Sequence, residues 1–111
     1  MSTKWSQELF DEFILLRDGL RAANRDKNYQ HVLSFGQQIL ELDKSAQFLR
    51  IATPIFLKDM GNACVKLGDN TAAMKYFKDA IEKFTKLKGQ SEDWKREIDV
   101  IERKLEKLAK K

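Results

Sequence analysis

Two side chains of this sequence could act as a nucleophile or a general base near neutral pH, those of His31 and Cys64. They are the only histidine and the only cysteine of the chain. His31 lies beside Val32 in a helical pattern, which predicts a partly exposed surface histidine. Cys64 lies between Met60 and Leu67 on an apolar face, which predicts a buried and unreactive thiol. The two residues therefore predict no nucleophilic catalytic site.

The acidic residues form no catalytic or metal-binding pattern either. Scattered carboxylates that lack the spacing of a paired acid site are found at Glu12, Asp18, Asp59, Asp79 and Glu82. The sequence contains no GxxxxGK(S/T), GxGxxG, GxSxG or HExxH motif. One cysteine and one histidine are too few for the usual four-ligand structural zinc site. We therefore predict that the protein is not an enzyme and has no catalytic residues, no cofactor and no metal.

Three arginines, Arg17, Arg21 and Arg25, recur every four residues. This spacing places them on one stripe of a helix. Guanidinium groups make forked hydrogen bonds to carboxylates, so the stripe favours an acidic peptide or a carboxylate tail as partner. The alternative is that the same charges only keep the helix soluble.

The composition excludes several other classes of protein. A chain of 111 residues with 42% hydrophobic residues, seven of them Phe, indicates one compact domain over residues 1–111 and excludes a disordered chain. The net charge of +4 comes from acids and bases that alternate at helical spacing, which is typical of a solvated surface. No stretch approaches the 18 consecutive apolar residues of a membrane span, and the N-terminus has no apolar signal run. We expect a cytoplasmic protein with no membrane partner.

The spacing of apolar residues predicts an all-α fold of five helices without a β-sheet. The predicted helices cover about Thr3–Asn24, Asn28–Leu42, Pro54–Leu67, Asn70–Leu87 and 91–109. The polar break at 25–28 is short, which makes the first two helices antiparallel. Residues 45–52 are predicted as a short helix capped by Ser45, or else as the start of one kinked helix. Thr53 is expected to cap the third helix and Pro54 to occupy its first position.

The segment from Leu57 to Glu82 resembles a tetratricopeptide (TPR) repeat, a helical hairpin of 34 residues. In this resemblance Gly61 and Ala73 stand where the two helices cross closely, and the pair Gly68-Asp69 is the turn. The residues at the interhelical packing places are Met60, Cys64, Phe77 and Ala80. The resemblance implies about two antiparallel hairpins, at about 13–43 and 54–87, with a C-terminal capping helix at about 91–109.

The earlier hairpin is similar to the same family. The matching places hold Leu16, Leu20, Ala23, Tyr29, Val32, Phe35 and Ile39. Leu20 corresponds to Gly61, 41 positions later, and the excess over the family period falls in residues 44–53. Lys27 stands where the family prefers glycine. A second family, the three-helix microtubule-interacting-and-trafficking domain, is similar to residues 54–108 but leaves the first 43 residues without a place.

The TPR resemblance also implies a concave groove lined by the first helix of each hairpin. Carried over place by place, its lining is Ile14, Arg17, Asp18, Arg21, Asn24 and Arg25, then Ile55, Lys58, Asp59, Asn62, Val65 and Lys66. The implied function is a protein–protein interaction module or adaptor that binds a peptide, acidic in character, with Ile14, Ile55 and Val65 as apolar anchors. Asn62 fits one place of the family's carboxylate clamp, whereas Asp59 stands where that clamp has Asn.

Two other functions stay open. The chain could be a small basic nucleic-acid-binding protein that uses scattered lysines, namely Lys86, Lys88, Lys104 and Lys107. It could also be a homo-oligomeric structural protein, a homodimer for instance. That partner would pair with the apolar stripe of the fifth helix, which consists of Trp94, Ile98, Ile101, Leu105 and Leu108.

Overall fold

The computed structural model describes residues 6–86 and 92–110, with the backbone alone at 92–94. Its helices are α1 (Gln7–Arg25), α2 (Tyr29–Ser45), α3 (Thr53–Lys66), α4 (Asn70–Lys86) and α5 (Glu92–Ala109). A short 3-10 helix, Gln47–Leu49, lies between α2 and α3. The described residues contain no strand, and the predicted all-α hairpin fold is confirmed. The predicted starts at Thr3 and Ser91 and the predicted end at Leu87 lie outside the described residues.

Each helix packs against the next one in the chain. The apolar residues of α1, α2 and α3 form one buried cluster around Leu20 and Val32. Those of α3, α4 and α5 form a second cluster around Phe77 and Ile101. Because α3 contributes to both clusters, it is the element that joins the two hairpins into one body.

Three helices begin at a side-chain cap that satisfies a free backbone N–H. The caps are Ser6, which accepts from Leu9 at 3.4 Å, Asn28, which accepts from His31 at 3.4 Å, and Asp69, which accepts from Ala72 at 3.1 Å. Two of these caps, Asn28 and Asp69, directly follow the short turns between helices. The turn residues therefore end one helix and begin the next.

The segment between α2 and α3 differs from the prediction. α2 continues past Leu42, and Ser45 closes it instead of capping a new helix, because its hydroxyl donates to the Leu42 carbonyl oxygen at 3.2 Å. The predicted short helix is only the 3-10 helix, separate from α3, so the kinked alternative is wrong. α3 begins at Thr53, whose side chain is 5% exposed. The N-cap position is therefore Ala52, which makes no side-chain cap hydrogen bond, and the expected cap by Thr53 is wrong.

Candidate functional site

Side chains of α1 and of α5 meet α3 along a stretch that includes Phe56, Lys58 and Asn62, and we call this region between the three helices the inner groove. Between α1 and α3, the rings of Phe13 and Phe56 meet edge to face with their centroids 6.0 Å apart. Between α3 and α5, Lys58 pairs with Glu97, and four residues further along α3 Asn62 accepts a hydrogen bond from Lys104. The partners advance in the same direction on both helices, so α3 and α5 run parallel.

The inner groove deepens at the C-terminal ends of its helices into a cavity of about 440 Å³, which we call the lysine pocket. Its lining comes from four helices and consists of Asn24, Tyr29, Asn62, Val65, Lys66, Lys104, Lys107 and Leu108. Three of these residues are lysines and two are asparagines. None of the described residues that line the pocket is acidic. The pocket is therefore a concave site whose charged lining residues are all lysines, set beside apolar wall from Tyr29, Val65 and Leu108.

Lys104 is the pocket lysine on which several neighbouring charges act. Its Nζ donates to Oδ1 of Asn62 at 2.8 Å. Partial burial lowers the pKa of Lys104 below its ordinary value, and the positive charges of Lys58, Lys107 and Lys66 lower it further, against the opposing charge of Glu97. Glu97 is itself paired with Lys58 at 2.5 Å. The ammonium groups of Lys107 and Lys66 in the pocket and of Lys58 in the middle of the groove thus all act on Lys104.

The middle of the inner groove is balanced in charge. Here Lys58 meets Glu97, and Asp59 lies within the electrostatic influence of Arg21. Burial raises the pKa of Asp59, since removal of water penalises the carboxylate more than Lys58 and Arg21 favour it. The groove therefore changes along its length from a neutralised middle to a cationic end.

The residues predicted for the groove are divided between these two regions. Asn24, Asn62, Val65 and Lys66 come together in the lysine pocket. Lys58 and Asp59 lie in the balanced middle. Ile55, near the start of α3, is 37% exposed, and Ile14 on α1 is half-buried. The cationic end is therefore built by the ends of the helices and not by the arginine stripe.

The arginine stripe of α1 is partly neutralised by neighbouring acids. Arg17 forms an ion pair with Asp18 at 3.2 Å, and Arg25 forms one with Asp26 at 3.7 Å. Arg21 is exposed and acts on the charge of Asp59. Because each arginine has a carboxylate nearby, the stripe presents less free positive charge than its spacing predicts.

The sequence reasoning missed the contribution of α5 to the groove. Pocket residues that it did not assign there are Tyr29, Lys104, Lys107 and Leu108. A signal was present in the spacing of Glu97, Val100, Lys104 and Lys107 by 3, 4 and 3 residues, which places them on one helical stripe. Val100 on this stripe is 43% exposed. The sequence analysis did not assign this polar stripe to the groove, because the neighbouring apolar stripe of α5 already accounted for the helix as a capping helix.

The apolar stripe proposed for self-association packs inside the chain. Ile101 and Leu108 are buried in the α3–α4–α5 cluster, and Ile98 and Leu105 are partly buried against it. The side chain of Trp94 lies outside the described residues. A second copy that used this stripe would have to displace α5 from α4.

Neither His31 nor Cys64 is among the residues that line the lysine pocket. The Cys64 thiol is buried, and burial together with the nearby charge of Asp69 raises its pKa. The exposed His31 ring has its Nδ1 atom 2.9 Å from the side-chain Nδ2 atom of Asn28. Among the side chains that the structure describes, no three His, Cys, Asp or Glu residues gather where they could hold a metal ion.

Two further depressions carry different chemistry. One of about 770 Å³ lies between α1 and α2 and includes the acids Glu12 and Glu41 in its lining. The other, of about 310 Å³, lies between α2, α3 and α4 and mixes acids with lysines. In the second, burial raises the pKa of Asp43 although Lys83 opposes the shift. Only in the lysine pocket, among these three depressions, are all the charged lining residues lysines.

Comparison of the chain with protein-family models, with curated proteins and with solved structures gave no match. Within residues 6–86 and 92–110, no helix combines the length and the apolar character that crossing a membrane requires.

Proposed function

We propose that this chain is a non-catalytic, TPR-like interaction module that binds an acidic peptide segment in the inner groove. The observation that carries the proposal is the lysine pocket, where Lys66, Lys104 and Lys107 line a concave site without a described acid. An acidic side chain would relieve the repulsion between these ammonium groups and form charge-assisted hydrogen bonds with them. The parallel inner helices support the family resemblance on which the groove was first predicted.

The groove also offers apolar anchors for such a peptide. Ile55 and Val100 are exposed hydrophobic side chains, and Val65 lines the lysine pocket. Partly exposed ion pairs contribute only about 0–1 kcal/mol each, so the apolar contacts must supply much of the binding free energy. We therefore expect moderate affinity, with charge setting the specificity and the position of the peptide.

Fluorescence anisotropy with three short labelled peptides tests the proposal. One peptide combines Glu and Asp with Leu and Ile, the second replaces each acid by its amide, and the third replaces each acid by Lys. We expect the acidic peptide to bind the protein most tightly, because it alone complements the lysine pocket. Equal affinity for all three peptides would contradict the proposal.

A pair of matched double variants locates the binding surface. Lys66→Glu with Lys107→Glu reverses two charges in the lysine pocket. Lys75→Glu with Lys78→Glu makes the same change in net charge at exposed positions of α4. We expect the first variant to lose binding of the acidic peptide and the second to keep it. Equal loss in both variants would mean that the net charge acts and not the groove.

The same variants separate peptide binding from the nucleic-acid alternative. A random single-stranded oligonucleotide replaces the peptide in the anisotropy assay. A nucleic-acid-binding protein would neutralise several phosphates with scattered lysines, so its affinity would fall steeply with salt and suffer equally from both double variants. Oligonucleotide binding that is tighter than peptide binding and has this dependence would overturn the proposal.

A further inference from the structure

The lysine pocket holds more positive charge than a single carboxylate would neutralise. Lys66, Lys104 and Lys107 line it, whereas Lys58 belongs to the neutralised middle of the groove. Glu97 opposes this charge but is already paired with Lys58. The three pocket lysines are therefore left without a described acid among the residues that line the cavity.

We propose that the lysine pocket receives a phosphorylated side chain of the peptide partner. This inference rests on the proposed function and names the ligand chemistry of the same groove. A phosphate monoester carries about −1.5 to −2 charges near pH 7 and three strong acceptor oxygens. Three lysines in the lining of one cavity match a dianion with three acceptors better than they match a carboxylate with one charge.

The polar groups between the lysines suit the same ligand. Oδ1 of Asn62 accepts from Lys104, so the other polar atom of this amide, Nδ2, is a donor. Asn24 adds a second amide to the lining from α1. The donor-bearing residues of the lining thus come from α1, α3 and α5.

The shape of the site favours one phosphorylated side chain over a nucleic-acid backbone. The volume of about 440 Å³ is within the range of cavities that enclose small ligands. Tyr29, Val65 and Leu108 supply apolar wall for the stem of a side chain. Proteins that bind a nucleic-acid backbone track it with cations spread along a surface, whereas these three lysines share the lining of one cavity.

An NMR titration of the full chain with two small probes tests the inference. The probes are N-acetyl-O-phosphoserine N-methylamide and N-acetylglutamate N-methylamide, which differ in the charge and the acceptors of the acidic group. We expect the phosphoserine probe to shift backbone amides near residues 24–29, 62–66 and 104–108. We expect it to bind about tenfold more tightly than the glutamate probe, since its charge is nearly doubled.

Neutralising variants assign the effect to the pocket. Lys66→Gln with Lys107→Gln should weaken binding of the phosphoserine probe about tenfold, because each exposed ion pair contributes up to about 1 kcal/mol. The control, Lys75→Gln with Lys78→Gln, should change that affinity less than twofold. Equal affinity for both probes, amide shifts outside the pocket, or equal loss in the two variants would overturn the inference.

The results also separate this inference from the proposed function. If acidic peptides bind the groove and phosphorylation adds no affinity, the phosphate site is wrong and the peptide groove stands. If the phosphoserine probe binds the pocket but no acidic peptide binds the chain, the peptide groove is wrong and the phosphate chemistry is supported. An oligonucleotide that shifts the same amides at lower concentration than the phosphoserine probe would overturn both.

Discussion

At the scale of single residues, glycines such as Gly61 and Gly36 set how closely neighbouring helices approach. A Cβ atom built on Gly61 would lie 2.5 Å from the ring of Phe77, across the contact between α3 and α4. A Cβ atom on Gly36 would lie 2.5 Å from the sulfur of Met60, across the contact between α2 and α3. Phe77 is rigid and fully buried, whereas the Met60 side chain is unbranched and adaptable. The two contacts should therefore respond differently to one added methyl group.

We expect Gly61→Ala to lower the free energy of unfolding by roughly 1–3 kcal/mol, because overpacking against Phe77 exceeds the gain in helix propensity. Gly36→Ala should cost less, since Met60 can move its sulfur. Urea unfolding followed by circular dichroism measures both variants against the wild type. A Gly61→Ala variant as stable as the wild type would show that the crossing is looser than described.

The Asp59 carboxyl group makes the stability of the protein depend on pH. Burial raises its pKa in the folded protein above that of the unfolded chain, which is about 3.9. The fold therefore favours the protonated acid, and this contribution to stability is lost as pH rises through the folded pKa. We expect Asp59→Asn to be more stable than the wild type at pH 7.

The same variant should show no such gain at a pH below the unfolded pKa of Asp, where the wild-type acid is already neutral. Urea midpoints at both pH values measure the difference. A gain of equal size at both would mean that the burial of charge at Asp59 is not its cause.

At the scale of elements, the turns that follow α1 and α3 have the same backbone geometry. Lys27 has φ 61° and Gly68 has φ 84°, both left-handed. The next residue donates its N–H back across the turn in each case, from Asn28 to Ala23 at 2.8 Å and from Asp69 to Cys64 at 2.9 Å. This pattern is the Schellman motif, in which glycine is preferred because it has no Cβ. The first hairpin therefore uses lysine at a position that favours glycine.

Reciprocal substitutions test this equivalence of the two turns. We expect Lys27→Gly to stabilise the protein by up to about 1 kcal/mol, since it removes the cost of a left-handed L-residue. Gly68→Lys should destabilise it by about 1–2 kcal/mol. An added Cβ at Gly68 meets no atom within 4 Å, so the backbone alone sets that cost. Thermal melts of both variants measure the changes, and changes of the same sign would contradict the prediction.

At the scale of the whole molecule, α5 both covers the core and completes the inner groove. Ile101 and Leu108 pack into the apolar cluster that α5 shares with α3 and α4. Glu97 and Lys104 contact α3 through an ion pair and a hydrogen bond. The same helix supplies two of the three lysines of the pocket. The stability of the second hairpin and the chemistry of the groove are therefore coupled through the position of α5.

We expect the protein to sediment as a monomer of 13.0 kDa, because the apolar stripe of α5 is occupied by packing against α4. Sedimentation velocity over a range of concentrations measures the mass. A concentration-independent dimer would instead support the homo-oligomeric alternative. In that case Val100, which is exposed, would be the first position to substitute.

Local patterns predicted most of the secondary structure. The turn at Gly68-Asp69 was assigned correctly, because it depends on hydrogen bonds within a few residues of the chain. The cap at Asn28 was not predicted, and Thr53, which was expected to be a cap, is the buried first residue of α3. Asn62 and Lys66, which the family resemblance assigned to the peptide groove, lie in the lining of the lysine pocket, and peptide binding there stays a prediction.

By itself, the sequence determined the helical class and the short turns within the two hairpins, because helical periodicity and turn chemistry are local properties of the chain. Only the tertiary structure decided which charges meet. Lys104 lies beside Asn62 although 42 residues separate them, and Glu97 lies beside Lys58 across 39 residues. The approach of α5 to α3 is set by apolar packing of Ile101 against α4, and no pattern among the lysines themselves encodes that distance.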